Sequence, residues 1–304
     1  MRIGYPCINR SIGCTANRTF RLAAYSDKHL LETVKENIAC LQKILAWNRN
    51  RDILFFRITS VLVPFASHRV CTAPWQVTFA DDLAAAGELI RNSGMRISMH
   101  PDQFIILNAP DPGVVERSIA ELMYHAEVLD LMELPPSAKI QLHAGGVYGD
   151  AAKSIDRFVR TYETLDPVIR RRLVVENDDQ RFTASDCLAI HERTGIPVLF
   201  DVFHHACANR GEDTKTMIDR VRKTWKGADG IMMADYSSQH PDKRPGGHAD
   251  HIDLQDFARF LAISQPWDMD IMLEIKDKEA SALAAVEAAR ADPRFAGKSS
   301  DALG

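Results

Sequence analysis

Eight short apolar segments, separated by longer stretches with helical spacing, constrain this 304-residue chain more than any other feature. They are Ile3–Tyr5, Ile53–Ile58, Arg96–His100, Ile140–His143, Leu173–Glu176, Val198–Asp201, Ile231–Asp235 and Ile271–Glu274. Each is strand-sized and rich in Ile, Val, Leu, Met or Phe, as strands buried on both faces must be. Between them, Leu30, Leu31, Val34, Ile38, Leu41 and Leu45 recur on one helical face, with Ser26 placed to cap it. A second stripe runs through Val114, Ile119, Leu122, Met123, Ala126 and Leu129. Ser185–Thr194 reads as a short helix stopped by Gly195, and Asp253–Ile263 and Glu279–Arg290 as two more. Strands alternating with helices imply parallel pairing through right-handed crossovers. Eight such repeats predict a single closed (β/α)8, or TIM, barrel over residues 1–293, with a small polar tail at 294–304. The alternative is an open doubly wound sheet. It calls for a glycine-rich turn after the first strand, and Gly4-Tyr5-Pro6-Cys7 is not that fingerprint.

Composition excludes more than it proposes. With 46% hydrophobic and 26% charged residues the chain has an ordinary globular balance, so neither a disordered chain nor a fibre is expected. The apolar runs are too short for a transmembrane helix, and Met1 to Arg10 lacks a signal-peptide core, so a cytoplasmic protein is expected. Cys7, Cys14, Cys40, Cys71, Cys187 and Cys207 form no Cys-x-x-Cys pair, and their spread predicts reduced, packed thiols. The net charge of −4 gives no whole-protein basic field, so any nucleic-acid contact must be local or supplied by bound metal.

The chemistry is written at the strand ends. They read Met99-His100, Leu142-His143, Val175-Glu176, Phe200-Asp201, Ala234-Asp235 and Leu273-Glu274, with His204-His205 just after the sixth. In a β/α barrel these ends converge on one mouth. Two imidazoles and four carboxylates therefore share one concavity. Four carboxylates at that range cannot all stay ionised without cations, and a divalent metal resolves the conflict. With His204 and His248 there are ligands for two or three ions, and mixed N/O donors suit Zn²⁺ or Mn²⁺ better than Ca²⁺. Glu176 is central enough to bridge a pair. Each position taken singly has an ordinary explanation, since Asp or Asn after a strand often caps the next helix. Glu is a poor cap, yet it ends strands five and eight. Weaker features have two readings each. Gly145-Gly146 is either a phosphate-contacting loop or a plain turn. Lys243-Arg244-Pro245-Gly246-Gly247-His248 is either an anion-binding or a solvated loop. Arg18/Arg21 and Lys276/Lys278 are either phosphate contacts or solvated surface.

Motifs along nearly the whole chain resemble the UV damage endonuclease family. They include Gly4-Tyr5-Pro6-Cys7, Asn17-Arg18-Thr19, Phe56-Arg57-Ile58, Pro64-Phe65-Ala66-Ser67-His68, Ser98-Met99-His100-Pro101-Asp102-Gln103, Leu142-His143-Ala144-Gly145-Gly146, Glu176-Asn177-Asp178, Asp201-Val202-Phe203-His204-His205 and Lys243-Arg244-Pro245-Gly246-Gly247-His248-Ala249. The resemblance implies a barrel akin to the apurinic endonuclease and xylose isomerase-like branches. It implies incision of double-stranded DNA on the 5′ side of UV photoproducts (cyclobutane dimers and 6-4 photoproducts), leaving 3′-hydroxyl and 5′-phosphate ends, by a monomer. It implies two or three divalent ions, Mn²⁺ foremost, with Zn²⁺ and Mg²⁺ as alternatives. On this resemblance His100 and His143 hold one ion with Glu176 bridging, Asp201 and Glu274 hold a second, and His204 and His248 a third. His68 and His205 lie near the chemistry beside Glu176. Tyr5, Asn9, Gln103 and Phe104 insert at the lesion; apart from the resemblance, Arg18, Lys243 and Arg244 are the basic residues expected to bind phosphate. Two departures stand out. Asp235 occupies a strand-seven position where some members carry His, and Met232 and Met233 stand where some carry a modifiable lysine. A general abasic-site endonuclease and a sugar isomerase or epimerase are the rival activities for the same barrel.

Overall fold

The computed structural model describes residues 1–297. Eight parallel strands close into a barrel in sequence order: β1 (Ile3–Pro6), β2 (Phe55–Ile58), β3 (Arg96–Met99), β4 (Lys139–His143), β5 (Leu173–Glu176), β6 (Val198–Asp201), β7 (Met233–Tyr236) and β8 (Asp270–Leu273). Around it run α1 (Asp27–Arg49), α2 (Trp75–Thr78), α3 (Ala80–Ser93), α4 (Pro112–Leu131), α5 (Ala151–Thr164), α6 (Pro167–Arg170), α7 (Ala184–Thr194), α8 (Val202–Cys207), α9 (Thr214–Arg222), α10 (Leu254–Ser264) and α11 (Glu279–Ala289). Among the described residues no helix is long and apolar enough to cross a membrane.

Local chemistry sets the helix ends. Ser26 accepts from the His29 N–H to cap α1, and Asp253 accepts from two N–H groups to cap α10. Thr183 and Asp186 form a capping box at the start of α7, and Gly195 ends it in the left-handed region. Helices α3, α5 and α9 fill connections in which the sequence reading placed no element. The β7 boundary also moves: the strand starts at Met233, two residues later than the apolar run suggests, because apolarity continues into the turn before it.

The barrel interior is layered with a period of two, as alternating strand side chains require. Phe55, Val174, Leu199, Met233 and Met272 form an apolar cluster of their own, separate from the main core between strands and helices. Two residues further along the same strands stand Arg57, Glu176, Asp201, Asp235 and, just past β8, Glu274. Two residues before Met272 is Asp270, fully buried and paired with Arg2 and Arg96. The functional layer therefore rests on an apolar floor, which itself sits on a salt-bridged plug. Gly4 has to be glycine here, since a Cβ would fall 1.8 Å from the Phe55 carbonyl oxygen on β2.

Two expectations are corrected. Cys14 and Cys40 are joined by a disulfide; Cys7, Cys71, Cys187 and Cys207 are free. The loop after β1 folds back over α1 and brings the two Cα atoms within 6.0 Å, a contact that spacing along the chain does not reveal. The expected tail begins too early. Arg294 donates to the Trp267 and Leu261 carbonyls, and the Ala296 N–H bonds the Met1 carbonyl, so this segment is tied to the barrel floor. The rest of the expected tail, 298–304, lies outside the described residues.

Candidate metal centre

The strand ends bring most of the expected ligands together. His100, His143 and Glu176 can each present one ligand atom within 4.8 Å of the others; so can Glu176, Asp201 and His204, and Asp201, Asp235 and Glu274. The three sets share Glu176 and Asp201, so the centre is continuous and Glu176 stands in the bridging position. His100 Nδ1 lies 2.8 Å from the Pro101 carbonyl, which fixes that nitrogen as the donor and turns Nε2 toward Glu176 Oε2 at 3.5 Å. His204 Nδ1 lies 3.0 Å from Asp201 Oδ2 and 3.9 Å from Glu176 Oε1. His204 thus groups with Glu176 and Asp201, and its ring lies 6.2 Å from that of His248. His248 stands outside the three sets, with Nε2 3.8 Å from Glu274 Oε2 and its ring against Phe203.

The electrostatics fit a divalent cation. Burial, then Asp235, Asp201 and Glu274, push the Glu176 carboxyl well above its ordinary range; burial and then Glu274 and Asp235 do the same to Asp201. Burial, reinforced by neighbouring imidazoles, lowers His100 and His143, so both are neutral and free to ligate. Asp235 Oδ1, His143 Nδ1, His248 Nδ1 and Gln141 Oε1 are buried without a hydrogen-bond partner. Asp235 and His143 belong to the ligand sets, and imidazole nitrogen with carboxylate oxygen is the N/O donor chemistry that Mn²⁺ or Zn²⁺ takes.

Reasoning from strand ends overlooked a cation that the chain supplies itself. Arg57 on β2 is buried, donates to Asp235 Oδ2 at 2.5 Å and pairs with Glu274 Oε1. Burial opposes its charge, but Asp235, Glu274 and Glu176 override this and hold it above its ordinary value. Gln141 spans Glu176 Oε2 and Asp235 Oδ2, at 3.0 and 2.8 Å. Arg57 could have been found by counting two residues on from Phe55 in the apolar floor; Gln141 follows Lys139 by two, so β4 offers no such apolar marker. Glu274, gripped by Arg57, is held below the usual carboxylate range despite its burial.

The titration of Asp235 gives a pH expectation. Its carboxyl is pushed up to about 6 by burial, against the lowering effect of Arg57. A group whose folded pKa lies above its unfolded value of about 3.9 contributes stability that is fully present below that value and lost as pH rises through the folded one. Metal binding needs the empty carboxylate and releases the proton. The rise in melting temperature on adding Mn²⁺ should therefore be larger at roughly pH 7.5 than at roughly pH 5. Equal gains at both would show that no protonated carboxyl has to be emptied.

The other expected site residues divide. Gln103 and Phe104 are exposed, Phe104 at 72%, and they share a cavity of about 1450 Å³ with His68, His143 and His204. Tyr5 and Asn9 are not on the rim. Tyr5 is fully buried, its hydroxyl donating to Asn48 Oδ1 at 2.7 Å and accepting from Asn9 Nδ2 at 2.8 Å. Their side chains are consumed in tying β1 to α1. His205 is also turned away from the centre, with Nε2 3.1 Å from the Glu212 carbonyl and its ring on Phe200; α8 places neighbouring histidines on different sides. Arg18 is exposed but paired with Glu36, and Lys243 and Arg244 are exposed on the β7–α10 loop; none of the three lines the cavity. Arg69, Arg117 and Arg181 do line it. Sequence reading missed these three because they lie on two loops and on α4, with no motif joining them. The Gly146 N–H is already bonded to Asn108 Oδ1, which favours the plain-turn reading of that loop.

An eight-stranded β/α barrel whose strand ends gather His, Glu and Asp into one buried centre defines a class of proteins able to bind divalent cations at the barrel mouth. Residues 1–291 match the family described as UV-endonuclease UvdE, and the chain belongs to that family. It is 38% identical over 285 residues to a UV DNA damage endonuclease of Clostridium perfringens, covering 93% of this chain and 69% of the relative. It is 32% identical over 256 residues to one of Bacillus mycoides, covering 84% and 81%. Among solved structures, one titled "Crystal Structure of SacUVDE" superposes with a TM-score of 0.91 at 43% identity, covering 95% of this chain and 98% of that one. A D-psicose 3-epimerase superposes with a TM-score of 0.55 at 12% identity, covering 82% and 92%, a likeness of fold alone.

Proposed function

We propose that this protein is a metal-dependent DNA repair endonuclease that cuts the backbone 5′ to UV photoproducts and leaves 3′-hydroxyl and 5′-phosphate ends. The observation that carries this reading is the opening of the His/Glu/Asp centre into a cavity whose rim bears the exposed Phe104 and Gln103. His100, His143, Glu176, Asp201 and His204 would hold the ions, with Asp235 and Glu274 completing the set on the Arg57 side. Bound divalent metal would supply an activated water and neutralise charge on the phosphoryl group, and Mn²⁺ is the ion proposed. Arg57 keeps Asp235 and Glu274 turned into the centre. Arg69, Arg117 and Arg181 line the cavity among Glu116, Glu121, Asp178 and Asp179, so phosphate contacts there would rest on individual guanidinium groups rather than on a positive wall. His68, exposed on the same wall, is placed to face the DNA rather than the ions.

Selectivity follows from deformability. Damaged bases stack and pair poorly, so displacing them costs less than displacing normal ones. Phe104 can occupy the vacated space and Gln103 can bond to orphaned bases. Gln103→Ala with Phe104→Ala should weaken binding to a duplex with one thymine dimer by more than about tenfold, given base–aromatic stacking of roughly 1–3 kcal/mol. Binding to the undamaged duplex should change little, because phosphate contacts persist. Equal losses on both would contradict the assignment. A panel of dimer-containing, abasic and intact duplexes, scored for nicking, separates this activity from a general abasic-site endonuclease.

A further inference from the structure

Tyr148 lies on the β4–α5 loop and has no place in the centre described above. It is a tyrosine with φ of 50°, a conformation that bulky side chains rarely adopt. Its surroundings hold it there. The ring rests directly on Gly146, where a Cβ would come within 2.7 Å of the ring carbons, so only glycine accepts it. Gly146 is itself clamped at both ends by Asn108, whose Oδ1 accepts from its N–H at 3.2 Å and whose Nδ2 donates to its carbonyl at 2.9 Å. The Arg157 guanidinium lies over the ring, 5.3 Å from its centroid, and is fixed by bonds to the Asn108 carbonyl and Ser154 Oγ, both at 2.7 Å. The Ser154 hydroxyl returns to the Val147 carbonyl at 2.5 Å. An aromatic locked at this cost of backbone strain is still 49% exposed, and it lines the same cavity as Phe104, Gln103, His143 and His204.

A core aromatic would be covered, and an incidental surface aromatic would not be braced by a strained backbone, a clamped glycine and a cation. Strain of this kind persists where the surrounding structure over-determines it, and it concentrates at ligand-contacting positions. We propose that Tyr148 is a fixed stacking platform for a nucleobase, facing the DNA from the β4 side of the cavity as Phe104 does from the β3 side. The proposal rests on the DNA-repair reading. A base meets a ring already ordered, so little conformational entropy is lost on contact. Gly146 backs the ring, and Arg157, with its guanidinium 5.3 Å from the ring centroid, adds positive charge next to the strand.

The test compares Tyr148→Leu, Tyr148→Ala and Tyr148→Phe in the full chain. Probes are a duplex with a single thymine dimer and its undamaged twin, with binding measured under chelator so that no cutting occurs. Leu keeps apolar bulk on Gly146 and removes the aromatic face. It should weaken binding to the dimer duplex by about five-fold to a hundred-fold, the range of base–aromatic stacking. Phe should bind as wild type does, and binding to the undamaged duplex should move less than about twofold for all three. Unchanged manganese content and melting temperature in the Leu variant would show that the loss is not structural. Wild-type selectivity for the dimer, unaffected in the Leu and Ala variants, would overturn the platform role alone. A wild type that does not prefer the dimer duplex would overturn the repair reading together with this proposal.

Discussion

Glu176→Gln is expected to lower nicking of UV-irradiated DNA by at least about 10³-fold, since losing metal-borne transition-state stabilisation forfeits several kcal/mol. Glu176 belongs to two of the three ligand sets and is the one residue that joins the imidazoles of β3 and β4 to the acids beyond them. Gln keeps the size and the contact with Gln141 but removes the charge. Without metal the variant should be at least as stable as the wild type. Burial and three acidic neighbours already push the Glu176 carboxyl well up, so its ionised form is a burden to the metal-free fold. In the linkage sense, its contribution is lost as pH rises through that raised value, and an amide has no such loss. Retained activity with unchanged manganese per chain would end the bridging role.

Arg57→Met should destabilise the protein by about 3–5 kcal/mol, the cost of stripping one partner from a buried ion pair. Asp235 and Glu274 would then face each other, together with Asp201 and Glu176, in the same apolar-floored layer without the guanidinium that offsets their charge. The double variant Arg57→Met with Asp235→Asn removes both charges of the Arg57–Asp235 pair and should regain part of that stability, since Glu274 still loses its partner. Urea unfolding of the two single variants and the double gives the coupling directly. A near-zero coupling energy would mean that the pair at 2.5 Å does not hold in solution. The same comparison bears on Asp235→His. That change keeps a possible ligand but deprives Arg57 of its anion, so its activity and its stability need not move together.

Much of the fold could be read because each strand is a short apolar run between punctuated helices. Leu173–Glu176 and Val198–Asp201 match the structure residue for residue. The missed helices were also legible: Leu83, Ala86, Gly87 and Ile90 in α3, Ser154, Phe158, Val159 and Tyr162 in α5, and Met217, Ile218 and Val221 in α9 recur at helical spacing on the buried faces. At the site, a residue at a strand end has its direction fixed by the pleat, and His100, His143, Glu176, Asp201 and Asp235 all arrive where expected. Residues away from those strand ends carry no such signal. Tyr5 and Asn9 turn inward to bond Asn48 and each other, His205 turns to the Glu212 carbonyl, and Arg69, Arg117 and Arg181 converge from two loops and α4. The Cys14–Cys40 disulfide belongs to the same category, a contact made by loop path rather than by pattern. Arg57 was within reach of the sequence, since the motif containing it was noticed, but an arginine inside a barrel among acids is not what a search for metal ligands looks for.

The central claim is that this barrel mouth cuts UV-damaged DNA with bound divalent metal. Supercoiled plasmid, irradiated or not, incubated with the purified protein and Mn²⁺ or with a chelator, tests it in one gel. The account predicts relaxed circles from the irradiated plasmid with Mn²⁺, intact supercoils from the unirradiated plasmid, and no nicking of either under chelator. Equal nicking of both plasmids, or undiminished nicking with all metal removed, would contradict it.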